Sequence, residues 1–110
     1  MSKEGIAGNI VKEPAVRFAD SGKCVINLRV ALDEYPKPPE TTFIDVVAFG
    51  PLAENAAESF GKGTRILAVG TRKAKTWTGR DGTEHNDEEF IADAIGPELR
   101  FATVVVTRTS

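Results

Sequence analysis

Every second residue from Cys24 to Leu32 is apolar. Cys24, Ile26, Leu28, Val30 and Leu32 fall on one side of an extended chain, and Lys23, Asn27, Arg29 and Asp33 fall on the other. A period of two is the signature of a strand with one buried face and one wet face. No helix accommodates it, because residues two apart on a helix lie on different faces. Such a strand cannot bury its apolar side alone, so residues 23–33 commit the chain to a sheet.

The remaining segments agree. Residues 5–11 form a short strand candidate ended by Pro14. Residues 41–49 are rich in β-branched and aromatic types. Residues 64–77 form a long candidate with Gly70 inside it, where a bulge or sharp bend helps a small barrel close. Residues 88–95 and 101–107 complete the set, the last strongly β-prone. One segment reads as helix, residues 51–60. Pro51 suits its first turn, and Leu52, Ala53, Ala56 and Phe60 lie on one side. Gly61 and Gly63 then stop it. Residues 34–40 carry three prolines and form a stiff, extended loop. Asp81-Gly82 is a strong hairpin-turn signal. The expected architecture is all-β: a five-stranded OB-fold barrel, one short helix between the third and fourth strands, and an extra C-terminal strand. Residues 1–110 are read as one domain.

Composition excludes several function classes. The single Cys24 cannot form an intramolecular disulfide, and one Cys with one His cannot build a Cys/His zinc cluster. No metal and no cofactor are expected. The N-terminus has no apolar run of a signal peptide, and no stretch approaches a membrane span, so a cytoplasmic protein is expected. No nucleophile–base pair and no phosphate-cradling glycine loop marks an enzyme. The formal net charge of −2 argues mildly against a nucleic-acid partner, unless the basic residues gather on one face.

One stretch suggests that they do. In Arg72-Lys73-Ala74-Lys75-Thr76-Trp77 the only Trp ends a strand, and Lys73, Lys75 and Trp77 share a face by alternation. A ring among cations is what single-stranded nucleic acid requires: rings stack on bases and cations track phosphates. Trp77 is the first stacking candidate; covering the barrel end is its structural alternative. Tyr35, beside Lys37 in the proline loop, is the second, against simple packing on Pro36. Phe43 and Phe49 share one strand parity and are the third, against a place in the core. Arg29, Lys37, Arg72, Lys73 and Lys75 are the phosphate candidates, with Arg17 and Arg65 as further basic positions. Phe18, Phe60, Phe90 and Phe101 are read as core, as is Cys24. His85 is read as a surface residue. The acidic run Asp87-Glu88-Glu89 would repel DNA and is expected to lie away from the groove or at a subunit edge.

Several runs resemble the bacterial and phage single-stranded-DNA-binding protein family, nearer its actinobacterial members. The most specific is Thr41-Thr-Phe-Ile-Asp-Val-Val-Ala-Phe-Gly-Pro-Leu-Ala-Glu-Asn-Ala-Ala-Glu58, similar to the family's third strand and helix. Gly8-Asn9-Ile10, Glu13-Pro14-Ala-Val-Arg-Phe18 and Ser21-Gly22-Lys23 resemble its opening hairpin. Lys62-Gly-Thr-Arg-Ile-Leu-Ala-Val-Gly70, Trp77-Thr-Gly-Arg-Asp-Gly82 and Gly96-Pro-Glu-Leu-Arg-Phe-Ala-Thr103 resemble later segments. The resemblance implies an OB-fold that assembles, usually as a homotetramer, and wraps single-stranded DNA. It places the stacking rings at Tyr35, Phe43, Phe49 and Trp77. Members usually carry an acidic-tipped tail that recruits replication and repair proteins; this sequence shows none, so such recruitment is not expected. The runner-up reading is an OB-fold interaction module, such as a primosome component, with weak DNA binding.

Overall fold

The computed structural model describes residues 2–109 with the exception of Tyr35. The elements run β1 (Glu4–Ile10), β2 (Ala15–Phe18), β3 (Cys24–Leu32), β4 (Phe43–Phe49), α1 (Pro51–Ser59), β5 (Arg65–Thr78) and β6 (Glu84–Pro97). The sheet order is β1-β5-β6-β4-β3-β2, and β1 also pairs with β3. Five strands therefore close into a ring, and β2 hangs outside it on β3. All neighbours are antiparallel except β4 and β6, which run parallel. Counting ring strands only, α1 follows the third, as the OB-fold order requires.

Alternation divides the ring into an inside and an outside. Ile26, Leu28 and Val30 of β3 face Ala48, Val46 and Ile44 of β4 across the ladder, and all six are buried. Phe90 of β6 and Ile66 and Ala68 of β5 fill the same interior. The helix lays Ala53 and Ala56 against this core and covers one end of the ring. Small residues on that face let the helix sit close, and Pro51 at its start needs no hydrogen-bond acceptor for the N–H it lacks. Cys24 is a buried free thiol of the core. Among the described residues no helix is long and apolar enough to cross a membrane.

The long β5–β6 hairpin changes character along its length. Near the ring it slips register between Val69 and Gly70: Val69 faces Ala94, but Gly70 faces Ala92. The surplus residue is Asp93 on β6, so the bulge lies opposite the glycine rather than on its strand. Gly70 is needed because a Cβ there would meet the Ile91 carbonyl and, at 2.9 Å, the Ala92 Cα. Past Gly70, β5 has lost β1 as a neighbour. Beyond Glu89, β6 has no β4 partner toward the tip. Residues 74–78 and 84–88 thus form a two-stranded ribbon standing off the ring. Its turn closes with the Gly82 N–H donating to the Gly79 carbonyl at 3.0 Å, with Gly82 at φ 81.

Three expectations are corrected. Residues 101–107 form no strand: they are exposed and irregular. β-propensity reflects fit to a pleated, partly buried surface, and the ring is already closed when the chain reaches Phe101. Phe18 and Phe101 are not core residues, with 68% and 81% of their surface exposed. Phe18 sits on β2, whose residues are all exposed because it pairs with β3 alone. β2 itself lacks the alternating signal that marks a strand. By contrast Phe90 is fully buried, and Phe60 packs against the core.

The end of β6 is fastened by charge. Arg65 donates from Nε to Glu98 Oε1 at 3.3 Å and from Nη2 to Asp33. Glu98 also accepts from the backbone N–H and the side chain of Arg100. The Arg100 N–H, then its guanidinium, then Arg65 hold the Glu98 carboxyl down at about 2, against an ordinary 4.5. Asp33 is lowered too, first by its hydrogen bond from Arg65.

Two outcomes follow from this architecture. Gly70→Ala forces side chain into backbone and should destabilise the fold by about 1–3 kcal/mol, read as a lower urea midpoint. Because the folded-state pKa of Glu98 lies below its ordinary value, its contribution is complete above pH 4.5 and disappears as the pH falls toward about 2. Glu98→Gln should therefore flatten the acid limb of a thermal-midpoint-versus-pH curve in that window while changing its shape little near neutrality.

Candidate nucleic-acid interface

The outside of the ring carries the residues that composition could not place. Phe43, Asp45, Val47 and Phe49 are the outward set of β4, complementary to the buried Ile44, Val46 and Ala48. Phe43 and Phe49 are 44% and 43% exposed, which rules out the core alternative for both. They stand six positions apart on the strand, about 20 Å of extended chain. On β3 the outward set opposite them is Val25, Asn27, Arg29 and Ala31.

Register extends this face across the sheet. Arg29 faces Asp45, Asp45 faces Glu89, and Glu89 faces Lys73. These four side chains lie in one row crossing β3, β4, β6 and β5, about 14 Å wide at ordinary strand spacing. On the next outward positions of β5, Lys75 faces Asp87 and Trp77 faces His85. The face thus runs from the ring onto the ribbon without a change of parity. Toward the opposite edge, Arg17 of β2 faces Val25, which faces Phe49.

Two local contacts shape the face. The Arg29 guanidinium lies over the Phe43 ring, 5.6 Å from its centroid, and donates from Nη1 to Asp45 Oδ1 at 3.2 Å. Ring and carboxylate together hold the cation beside the aromatic surface. On the ribbon, Trp77 and His85 stack with centroids 4.2 Å apart and planes inclined by 15°. His85, read from sequence as a plain surface residue, thus covers one side of the indole. Trp77 remains 49% exposed. An imidazole beside a Trp could have been found from sequence only by setting the hairpin register from the Asp81-Gly82 turn and counting outward.

The sequence-derived set divides accordingly. Trp77, Phe43, Phe49, Arg29, Lys73 and Lys75 share the outer face. Arg72 does not: it pairs with the buried Phe90 position and sits on the other side of the sheet. There its Nε donates to Glu4 at 2.7 Å, with Glu88 within 3.9 Å of its Nη1. Arg65 is occupied by Asp33 and Glu98. Lys37 is exposed on the proline loop. Tyr35, the second stacking candidate, lies outside the described residues. The acidic run is not remote from the cations, as its charge suggested: Asp87 and Glu89 face Lys75 and Lys73 directly.

Residues 1–98 match the model of the single-strand binding protein family. The chain is 36% identical over 112 residues to the single-stranded DNA-binding protein of Corynebacterium glutamicum, an alignment covering 94% of this chain and 50% of that protein. It is 34% identical over 113 residues to the protein of the same name from Paenarthrobacter aurescens, covering 94% of this chain and 66% of the relative. The Mycobacterium leprae protein of that name is 34% identical over 113 residues, covering 96% of this chain and 67% of the relative. The chain thus spans from half to about two thirds of the length of these curated relatives.

Proposed function

The chain belongs to the single-strand binding protein family, and from that premise we propose that it binds single-stranded DNA with little sequence preference and protects exposed strands in replication, recombination and repair. The observation that carries this reading is the shared outer face of Phe43, Phe49 and Trp77, all exposed, with Arg29, Lys73 and Lys75 between and beside them. Every base has a face on which a ring can stack, so three exposed rings in one tract favour a strand of any sequence. A duplex hides those faces, which makes the same rings selective for single strands.

In this reading the protein performs no chemistry. It positions bases on rings and phosphates on cations. Phe43, Phe49 and Trp77 stack, with Tyr35 a further ring in the proline loop. Arg29, Lys73, Lys75 and Lys37 neutralise phosphates. Arg72 is left out, because Glu4 and Glu88 hold it on the opposite side. The protein acts in the cytoplasm, where the nucleoid is.

A titration of Trp77 fluorescence with oligo-dT at low and high salt tests the reading. The chain has a single Trp, so quenching has one source. Phe43→Ala, Phe49→Ala and Trp77→Ala should each weaken binding by roughly 1–3 kcal/mol, about 5- to 150-fold, followed by mobility shift where the Trp is removed. Lys75→Ala should weaken it more than Arg72→Ala does. Absence of quenching, together with no mobility shift at low salt, would leave the interaction-module reading in its place.

Assembly is part of the proposal. Leu67 and Val69 of β5 are exposed on the outer side, next to Ala7 and Gly5 of β1. This apolar strip lies on the same outer side, at the end of β5 away from the ribbon, and suits burial against further copies as a homotetramer or homodimer. Light scattering at micromolar concentration should give a mass above 11.8 kDa by a whole-number factor. Monomer alone would overturn the assembly.

A further inference from the structure

The register of the outer face sets a carboxylate against three cations of the proposed DNA site. Lys73 faces Glu89 and Lys75 faces Asp87 across the β5–β6 ladder. Arg29 faces Asp45 and is hydrogen-bonded to it. Asp45 and Glu89 face one another across the parallel pair, so the two carboxylates sit side by side at the centre of the charged row. Directly opposite residues in a sheet hold their Cβ atoms about 4.5–5.5 Å apart. A phosphate drawn to any of these cations must approach an anion to reach it.

We infer that Asp45, Asp87 and Glu89 are affinity-limiting residues, internal competitors for the positions that DNA phosphates take. The inference rests on the DNA-binding reading above and deepens it. Carboxylate and phosphate offer the same chemistry to a Lys or Arg: anionic oxygens that accept charge-assisted hydrogen bonds. In the free protein Asp45 holds the Arg29 guanidinium beside the Phe43 ring, and Glu89 and Asp87 stand opposite Lys73 and Lys75 in register. In the complex they are displaced or share the cation, and they repel the incoming strand at short range.

This arrangement also changes the salt dependence. Each phosphate neutralised by a cation releases condensed counterions from the strand, giving a slope of about −0.7 per contact for single strands. A carboxylate set free by that contact takes up a cation in exchange, so net release is smaller. The face should bind chiefly through its rings, with a shallow salt slope, and should let DNA go more readily than its count of cations suggests.

Asp87→Asn with Glu89→Gln removes both ribbon-side competitors without touching the core. Titrated with oligo-dT over a salt series, this double variant should bind about tenfold more tightly at low salt than wild type, the scale of two like-charge repulsions near 5 Å in water. Its salt slope should be steeper than that of wild type, because no freed carboxylate then takes up a cation in exchange. Asp45→Asn is a second, independent variant expected to act in the same direction. Glu54→Gln with Glu58→Gln, both exposed on α1, makes the same change of net charge away from the face; it should tighten binding less than the face variant at every salt, and by less than about twofold at about 0.15 M, where the Debye length is about 8 Å. Equal tightening by the helix control would overturn the inference in favour of a net-charge effect. Wild-type binding with unchanged affinity and slope in the face variants would overturn it alone. No binding by wild type would remove the DNA-binding reading and the inference together.

Discussion

Pairing of β1 on both of its edges is the constraint on which the rest of the molecule depends. Its residues Glu4 to Asn9 pair with β5, and Gly8 to Ile10 pair with β3. Where the two ladders overlap, the strands come together too closely for a side chain. A Cβ on Gly8 would meet Val30 Cγ1 at 2.6 Å and the Ala31 carbonyl carbon at 3.0 Å. That glycine lets β3 meet β1, and the meeting closes five strands of the sheet into a ring. Once closed, the ring has one dry side and one wet side. Outward positions such as Phe43 and Phe49 on β4 are then free of the interior, although Val47 between them and Val25 opposite Phe49 are still covered.

That separation explains how aromatic rings can be left in water. Ile44, Val46 and Ala48 satisfy the core from β4, so Phe43 and Phe49 on the same strand are free for a partner. Both are anchored on a strand with neighbours on either side. Trp77 is held differently. It stands on a two-stranded ribbon that buries no apolar face, and its cross-strand support is the stacked His85 ring. Sections of structure with few buried contacts open most easily. The face therefore joins a rigid pair of rings to a more yielding third, an arrangement suited to a strand of variable conformation.

Much of this was legible in the sequence because alternation is a geometric signal. The face assignments of Cys24 to Leu32 and of Phe43 to Phe49 needed only parity. The helix after the third ring strand announced itself by Pro51 and the spacing of Ala53 and Ala56. What parity could not give was pairing. The charge of Asp87 and Glu89 suggests a place away from the cations or at a subunit edge, but register sets them opposite Lys75 and Lys73. Arg72 looked like one more cation in a basic run; alternation with Lys73 already sets it on the opposite side, and what the pattern could not give is its partner Glu4, distant by sequence. Residues 101–107 have strand-forming side chains and no strand, because propensity acts only where a ladder is available. Each of these misses concerns a relation between distant segments, which a single strand's pattern does not encode.

The charge balance of the whole chain can now be set against that of its face. A net charge of −2 provides no long-range attraction for a polyanion, so approach is not accelerated as it is toward a basic protein. Attraction must instead be local, acting within roughly a Debye length, about 8 Å at physiological salt. At that range the outer face is itself mixed, with Arg29, Asp45, Glu89 and Lys73 in one row. In the proposed reading an anion beside each of these cations reduces the electrostatic gain from a phosphate but leaves stacking untouched, because an uncharged ring attracts a base whatever the salt. On that reading the rings would retain a strand where phosphate contacts fade, and the cations would orient it without holding it fast. An acidic chain is compatible with a nucleic-acid partner when its rings, rather than its charges, supply the larger share of the affinity.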